Sequence, residues 1–169
     1  MSSKNNNNSE DLNNNIKIIL LGDSAVGKTA IINKFDKDIF NQNNQSTYSS
    51  NFIEKRMIID GKKVTINVWD TAGQEKFRSV SKLFVKNAKI VILVYDITCL
   101  ESFQNLNFWY EFLSNELEQK VVIGLAGNKI DKISDEDFKE EVPDDMAKKC
   151  ASDWGPSLPY YRRRWIKKV

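Results

Sequence analysis

Three short segments carry side chains that can handle a phosphorylated nucleotide. Gly22-Asp23-Ser24-Ala25-Val26-Gly27-Lys28-Thr29 fits the pattern G-x-x-x-x-G-K-[ST] in full. In such a loop the backbone amides from Asp23 through Ser24, Ala25, Val26 and Gly27 to Ala30 face a polyphosphate, Lys28 reaches its β/γ oxygens, and the Thr29 hydroxyl binds Mg²⁺. A plain strand-to-helix turn accounts for the glycines but not for Lys28 and Thr29 in register. The second segment is Trp69-Asp70-Thr71-Ala72-Gly73-Gln74-Glu75. An aspartate there can hold Mg²⁺ through water, Gly73 gives a backbone amide close access to a γ-phosphate, and Gln74 is placed to orient water. The third is Asn128-Lys129-Ile130-Asp131. A carboxylate at Asp131 accepts two hydrogen bonds from the ring N–H and exocyclic amine of guanine, a donor pair that adenine lacks.

Composition narrows the chemistry. The chain has 169 residues, two cysteines and no histidine, so Ser-His and Cys-His nucleophiles and His-ligated zinc are excluded. Reactivity must come from Lys, Asp, Gln, backbone amides or a bound metal. With 41% hydrophobic and 28% charged residues the length suits one globular domain. The longest apolar run, Ile90 to Tyr95, is too short to cross a bilayer, and no signal peptide is evident, so a soluble cytoplasmic protein is expected. Net charge is +2, yet Arg162, Arg163, Arg164, Lys167 and Lys168 place +5 in the last ten residues. The rest is mildly acidic, which argues against a nucleic-acid partner.

The elements that must position these segments follow from periodicity. Ile16 to Leu21 reads as a buried strand and Ala30 to Phe35 as a helix, bracketing the glycine-rich loop. Asn51 to Ile59 and Lys63 to Trp69 alternate by two around Asp60-Gly61, the signature of a hairpin with a type I′ turn. Ile90 to Tyr95 and Val121 to Ala126 are continuous apolar runs, as parallel strands covered on both faces require. Between them Thr98 and Glu101 suggest a capping box, followed by an amphipathic helix through Phe103, Leu106, Tyr110, Leu113 and Leu117. Strands alternating with helices, plus one hairpin, predict a doubly wound α/β sheet with its ligand at the carboxyl ends of the parallel strands.

These residues resemble the Ras-like small GTPases and, within them, the Rab branch. The Rab-like marks are Gly22-Asp23-Ser24-Ala25-Val26-Gly27-Lys28, Ser46-Thr47 five residues before Phe52, and Trp69-Asp70-Thr71-Ala72-Gly73-Gln74-Glu75-Lys76-Phe77-Arg78, within a likeness covering Ile16 to Gly155. The resemblance implies a P-loop NTPase fold with a mostly parallel, six-stranded-type sheet and one antiparallel hairpin. It also implies a switch that hydrolyses GTP to GDP slowly with Mg²⁺, in vesicle traffic or signalling. Metal ligands by resemblance are Thr29, Thr47 and Asp70, with Lys28, Gly73 and Gln74 as catalytic groups. Phe40 would lie against the guanine that Asn128, Lys129 and Asp131 hold. Exchange factors, GTPase-activating proteins and effectors are the implied partners, the last at an aromatic patch of Phe52, Trp69 and Phe84.

After Gly155 the chain departs from the pattern. The family continues with an edge strand, a Ser-Ala-Lys loop at the guanine, a long final helix and prenylated cysteines. Here two prolines, Pro156 and Pro159, stand where the strand should pair, no Ser-Ala-Lys occurs, and the last cysteine is Cys150. With Ser2 in place of glycine, no lipidation motif is expected. The expected organisation is an Asn-rich disordered leader (1–15), an incomplete GTPase domain lacking its last strand and helix (16–155), and a divergent basic tail (156–169) capable of weak membrane contact. The alternative to a working switch is a pseudo-GTPase interaction module, or a non-functional truncated product, with weak or no nucleotide binding.

Overall fold

The computed structural model describes residues 15–39, 51–70, 85–116, 121–134, 138–155 and 160–162. The apolar runs form a single sheet: β1 (Asn15–Leu21), β2 (Asn51–Ile59), β3 (Lys62–Asp70), β4 (Ile90–Asp96), β5 (Val122–Asn128) and β6 (Tyr160–Arg162), in the order β2-β3-β1-β4-β5-β6. Among the described strands only β2 and β3 pair antiparallel. Their turn has positive φ at both Asp60 and Gly61, as a type I′ hairpin demands.

Alternation along β1 distributes two cores. Ile19 and Leu21 point to one face with Val91, Leu93, Tyr95 and Leu125, covered by α3 (Leu106–Glu116) through Leu106, Trp109 and Leu113 and by α4 (Asp144–Trp154) through Ala147 and Ala151. Leu20 points to the other with Ile66, Val68 and Val94, under Val26 and Ile32 of the loop and helix α1 (Lys28–Lys37). Tyr110 of α3 stacks on Trp154 with ring centroids 4.5 Å apart and donates its hydroxyl to the Trp154 carbonyl at 2.7 Å, fixing the end of α4. The parallel ladder ends β3, β4 and β5 on Asp70, Asp96 and Asn128, so three polar residues reach the carboxyl edge together.

Four details differ from the sequence reading. The last strand is present: Tyr160–Arg162 pairs with β5 in parallel, Leu125 opposite Tyr160, and Pro156 and Pro159 precede the strand rather than interrupt it. Asn15, assigned to the leader, opens β1 opposite Thr65. The helix expected through Phe103 to Leu117 is split at Asn105 into α2 (Leu100–Gln104) and α3. Thr98 does not cap it, because its hydroxyl donates to Asp96 Oδ1 at 2.7 Å; Cys99 is the N-cap residue, and the Leu100 amide donates instead to Glu141 Oε2 at 2.7 Å. Among the described residues no helix is long and apolar enough to cross a membrane.

Candidate functional site

The loop from β1 to α1 is shaped by glycines where no side chain fits. At Gly22 (φ 141°) a Cβ would collide with the Val94 carbonyl, and at Gly27 (φ 98°) with the Asn128 side-chain amide. Ala25 also has positive φ, at 63°. Left-handed residues interspersed in a turn produce the concave run of amides that binds anions, and here it leads directly into the N-terminus of α1. Ser24 and Ala25 are exposed at its crown, while Val26 is buried. Lys28, the first residue of α1, is only 6% exposed. Its ammonium donates to the carbonyls of Gly22 at 2.6 Å and Asp23 at 2.7 Å, which holds a positive charge across the loop. The Asp23 carboxylate accepts a bond from Asn105 Nδ2 at 2.7 Å, tying the loop to the break between α2 and α3.

Thr29 and Asp70 meet across the sheet edge, with Thr29 Oγ1 donating to Asp70 Oδ2 at 2.6 Å. Asp70 is 1% exposed, and its Oδ1 has no hydrogen-bond partner among the described residues. Burial pushes its carboxyl above the usual aspartate range, against the Thr29 bond and the Lys28 charge, which pull it down. A hydroxyl and a carboxylate with an unused buried oxygen form a hard-oxygen donor pair that fits Mg²⁺, a cation commonly held by one or two carboxylates plus substrate phosphates. The pair also implies a cost. Because the folded pKa is raised, the Asp70 charge lowers stability increasingly as pH rises through that value. Asp70→Asn should therefore raise the melting temperature of the nucleotide-free protein by roughly 2–4 °C at pH 7, for about 1 kcal/mol of relieved burial. The gain should shrink on acidification; a thermal melt showing no gain at pH 7 would contradict this account of Asp70.

The third segment leaves β5 at the same edge. Asn128 is 2% exposed, and its Nδ2 donates to the Val26 carbonyl at 2.8 Å, bonding the segment after β5 to the loop between β1 and α1. Lys129 has positive φ (65°), and Asp131 enters a short 3₁₀ turn, Ile130–Ser134. Asp131 Oδ1 is buried without a hydrogen-bond partner among the described residues, an acceptor held ready for a donor. Asp23, Ser24, Ala25, Val26, Gly27, Lys28, Thr29, Ala30, Asp70, Asn128, Lys129 and Asp131 thus lie along one edge of the sheet.

The family profile described as Ras family matches residues 17–162. The chain belongs to the Ras family. Similar proteins include the Ras-like GTP-binding protein RYL2 of Yarrowia lipolytica, 36% identical over 138 residues, which are 82% of this chain and 66% of the relative. The GTP-binding protein YPT53 of Saccharomyces cerevisiae is 38% identical over 125 residues, 74% and 57% of the two chains. Human Ras-related protein Rab-30 is 41% identical over 122 residues, 72% and 60%. These likenesses place this Ras-family chain with the Rab branch, and the matched stretch spans less than two thirds of each relative's length. The profile runs seven residues past Gly155, through β6.

Within this Ras-family chain, Phe40, Thr47, Gly73, Gln74 and Phe84 lie outside the described residues. Of the three aromatics expected to face effectors, two meet: Phe52 and Trp69 sit opposite each other on β2 and β3 with ring centroids 5.1 Å apart, and Phe52 is 47% exposed. The Lys17 ammonium lies 5.0 Å from the Trp69 ring centroid and donates to the Lys86 carbonyl at 2.9 Å. One residue the motifs do not include stands inside the site. Asp96 at the end of β4 is 6% exposed and ion-paired with Lys129. Its signal in the sequence is a lone acid closing an otherwise apolar strand, the same position that Asp70 takes on β3.

Proposed function

We propose that this chain is a Rab-type switch that binds GTP and GDP with Mg²⁺ and hydrolyses GTP slowly. The observation that supports the proposal best is the hydrogen bond from Asn128 Nδ2 to the Val26 carbonyl, which joins the segment after β5 to the loop between β1 and α1, as one nucleotide held by both would require. Two of the relatives are named as GTP-binding proteins, in keeping with this.

In the proposed reaction, the loop amides and the Lys28 ammonium neutralise charge developing on the β and γ oxygens. Asp131 accepts the paired donors of guanine. By family resemblance, Gly73 donates its amide to the γ-phosphate, Gln74 orients the attacking water, and Phe40 packs on the base. When bound, Mg²⁺ would supply charge neutralisation, and Thr29, Asp70 and, by family resemblance, Thr47 would hold it. Contact of Thr47 and Gly73 with the γ-phosphate makes both segments sensitive to hydrolysis, the basis of switching. The Phe52–Trp69 pair, with Phe84, is the proposed effector contact, and exchange factors and GTPase-activating proteins are the proposed regulators in vesicle traffic.

Competition against a fluorescent GDP tests this directly. GTP and GDP should displace the probe, ATP should not, and EDTA should accelerate release; equal competition by ATP and GTP would overturn the proposal. Unassisted turnover should be on the order of 10⁻⁴ to 10⁻³ s⁻¹. Gln74→Leu should slow single-turnover hydrolysis at least about tenfold while leaving GTP affinity within about twofold, if Gln74 acts on the water alone. Undiminished hydrolysis would remove Gln74 from the mechanism.

A further inference from the structure

Asp96 has no part in the proposed chemical step, yet it is one of five buried polar residues among those described, with Lys28, Asp70, Ser102 and Asn128. It is paired in register with Asn128 across the β4–β5 ladder. Its Oδ2 receives the Lys129 ammonium at 2.6 Å, with Lys132 farther off at 3.9 Å. Its Oδ1 accepts from the Thr98 amide at 3.0 Å and the Thr98 hydroxyl at 2.7 Å. Burial works against this charge, but the bonds from Lys129 and Thr98 and the Lys129 charge outweigh it and hold the carboxyl below the usual aspartate range, ionised at neutral pH.

Lys129 needs such an anchor. It has a left-handed backbone (φ 65°), which costs a non-glycine residue energy that its surroundings must supply. In that conformation the Lys129 stem passes the phosphate loop, its Cε 3.9 Å from where a Cβ on Gly27 would stand. The ammonium is held on Asp96 at one end while the stem lies beside the loop.

We propose that Asp96 is a positioning residue for nucleotide binding: by holding the Lys129 ammonium it keeps the Lys129 stem and the turn carrying Asp131 in register with the Gly27 loop, and so sets how long nucleotide stays bound. This rests on the nucleotide-binding function proposed above. The positioning effect runs through Lys129, so it must depend on the lysine being there, whereas the bonds to Thr98, or a general role in holding β4 and β5, would act without it.

The test is the release rate of N-methylanthraniloyl-GDP, chased with excess GDP, from wild type, Asp96→Asn, Lys129→Met and the double variant. Asp96→Asn should speed release about tenfold in the wild-type background and at most about twofold in the Lys129→Met background. Asparagine keeps the shape and an acceptor for Thr98, so what is lost is the charge and the Oδ2 acceptor that hold the Lys129 ammonium. Should the single variant fail to fold, Lys129→Met and the double variant decide: the double should release no faster than about twofold over Lys129→Met and should melt higher, because no unpaired carboxylate remains. Equal acceleration in both backgrounds, or none in wild type, overturns the positioning role while leaving nucleotide binding intact. Failure of wild type to bind the probe overturns the nucleotide reading and this inference with it.

Discussion

Asp131→Asn should trade guanine for xanthine. The Asp131 carboxylate has a buried oxygen with no partner among the described residues, on a turn next to Asn128, which bonds to the Val26 carbonyl in the loop between β1 and α1. Two hydrogen bonds to a charged acceptor contribute about 3–6 kcal/mol, on the order of a hundred- to ten-thousandfold in affinity. An asparagine amide presents a donor where the exocyclic amine of guanine needs an acceptor, so GTP affinity should fall by that factor. Xanthine carries an oxygen at that position, and XTP should bind the variant more tightly than GTP. Competition with GTP, XTP and ATP measures both changes. A variant that still prefers GTP would mean that Asp131 does not read the base.

Lys28→Met should abolish triphosphate binding at working concentrations. Lys28 is nearly enclosed, and its ammonium lies on the Gly22 and Asp23 carbonyls at the floor of the loop. Truncating one partner of an enclosed, hydrogen-bonded charge pair costs about 2–5 kcal/mol, on the order of thirty- to several-thousandfold in affinity. In the proposed site the two substitutions would act on different ends of the nucleotide and should be told apart by probe. Lys28→Met should weaken GTP and GDP without changing the ratio between guanine and adenine nucleotides, whereas Asp131→Asn should change that ratio. Titration calorimetry with GTP and GDP reads the loss; affinity within threefold of wild type would show that Lys28 only staples the loop.

Much of this arrangement is legible in the sequence because the signals are physical and local. Ile90 to Tyr95 and Val121 to Ala126 are short continuous apolar runs, which suits strands covered on both faces, although Val122 at the start of β5 is exposed. Asp60-Gly61 tolerates two successive left-handed residues, so the hairpin and its register could be read from two letters. The glycines at 22 and 27 mark places where Val94 and Asn128 come too close for a Cβ. The rest depends on partners far away in the chain. β6 is three residues that become a strand only by pairing with Leu125 to Gly127, and no periodicity can announce that. α4 buries chiefly Ala147 and Ala151, too little apolar bulk to stand out in its stretch of acids and lysines. The capping box at Thr98 failed because Asp96, two residues earlier, offers the hydroxyl a charged acceptor, and a charged acceptor is stronger than the cap. Asp96 itself looks like a strand end until Lys129 is seen against it, 33 residues on.

The most direct test of the central claim is the nucleotide carried by the purified protein. The chain should be prepared in Mg²⁺ without added nucleotide, denatured, and its supernatant resolved by ion-exchange chromatography. If the loop between β1 and α1 holds phosphates and Asp131 reads guanine, as proposed, the protein should carry GDP, with or without GTP, at close to one nucleotide per chain. An adenine nucleotide in its place, or a folded protein that carries none and takes up none when GDP and Mg²⁺ are supplied, would contradict the account.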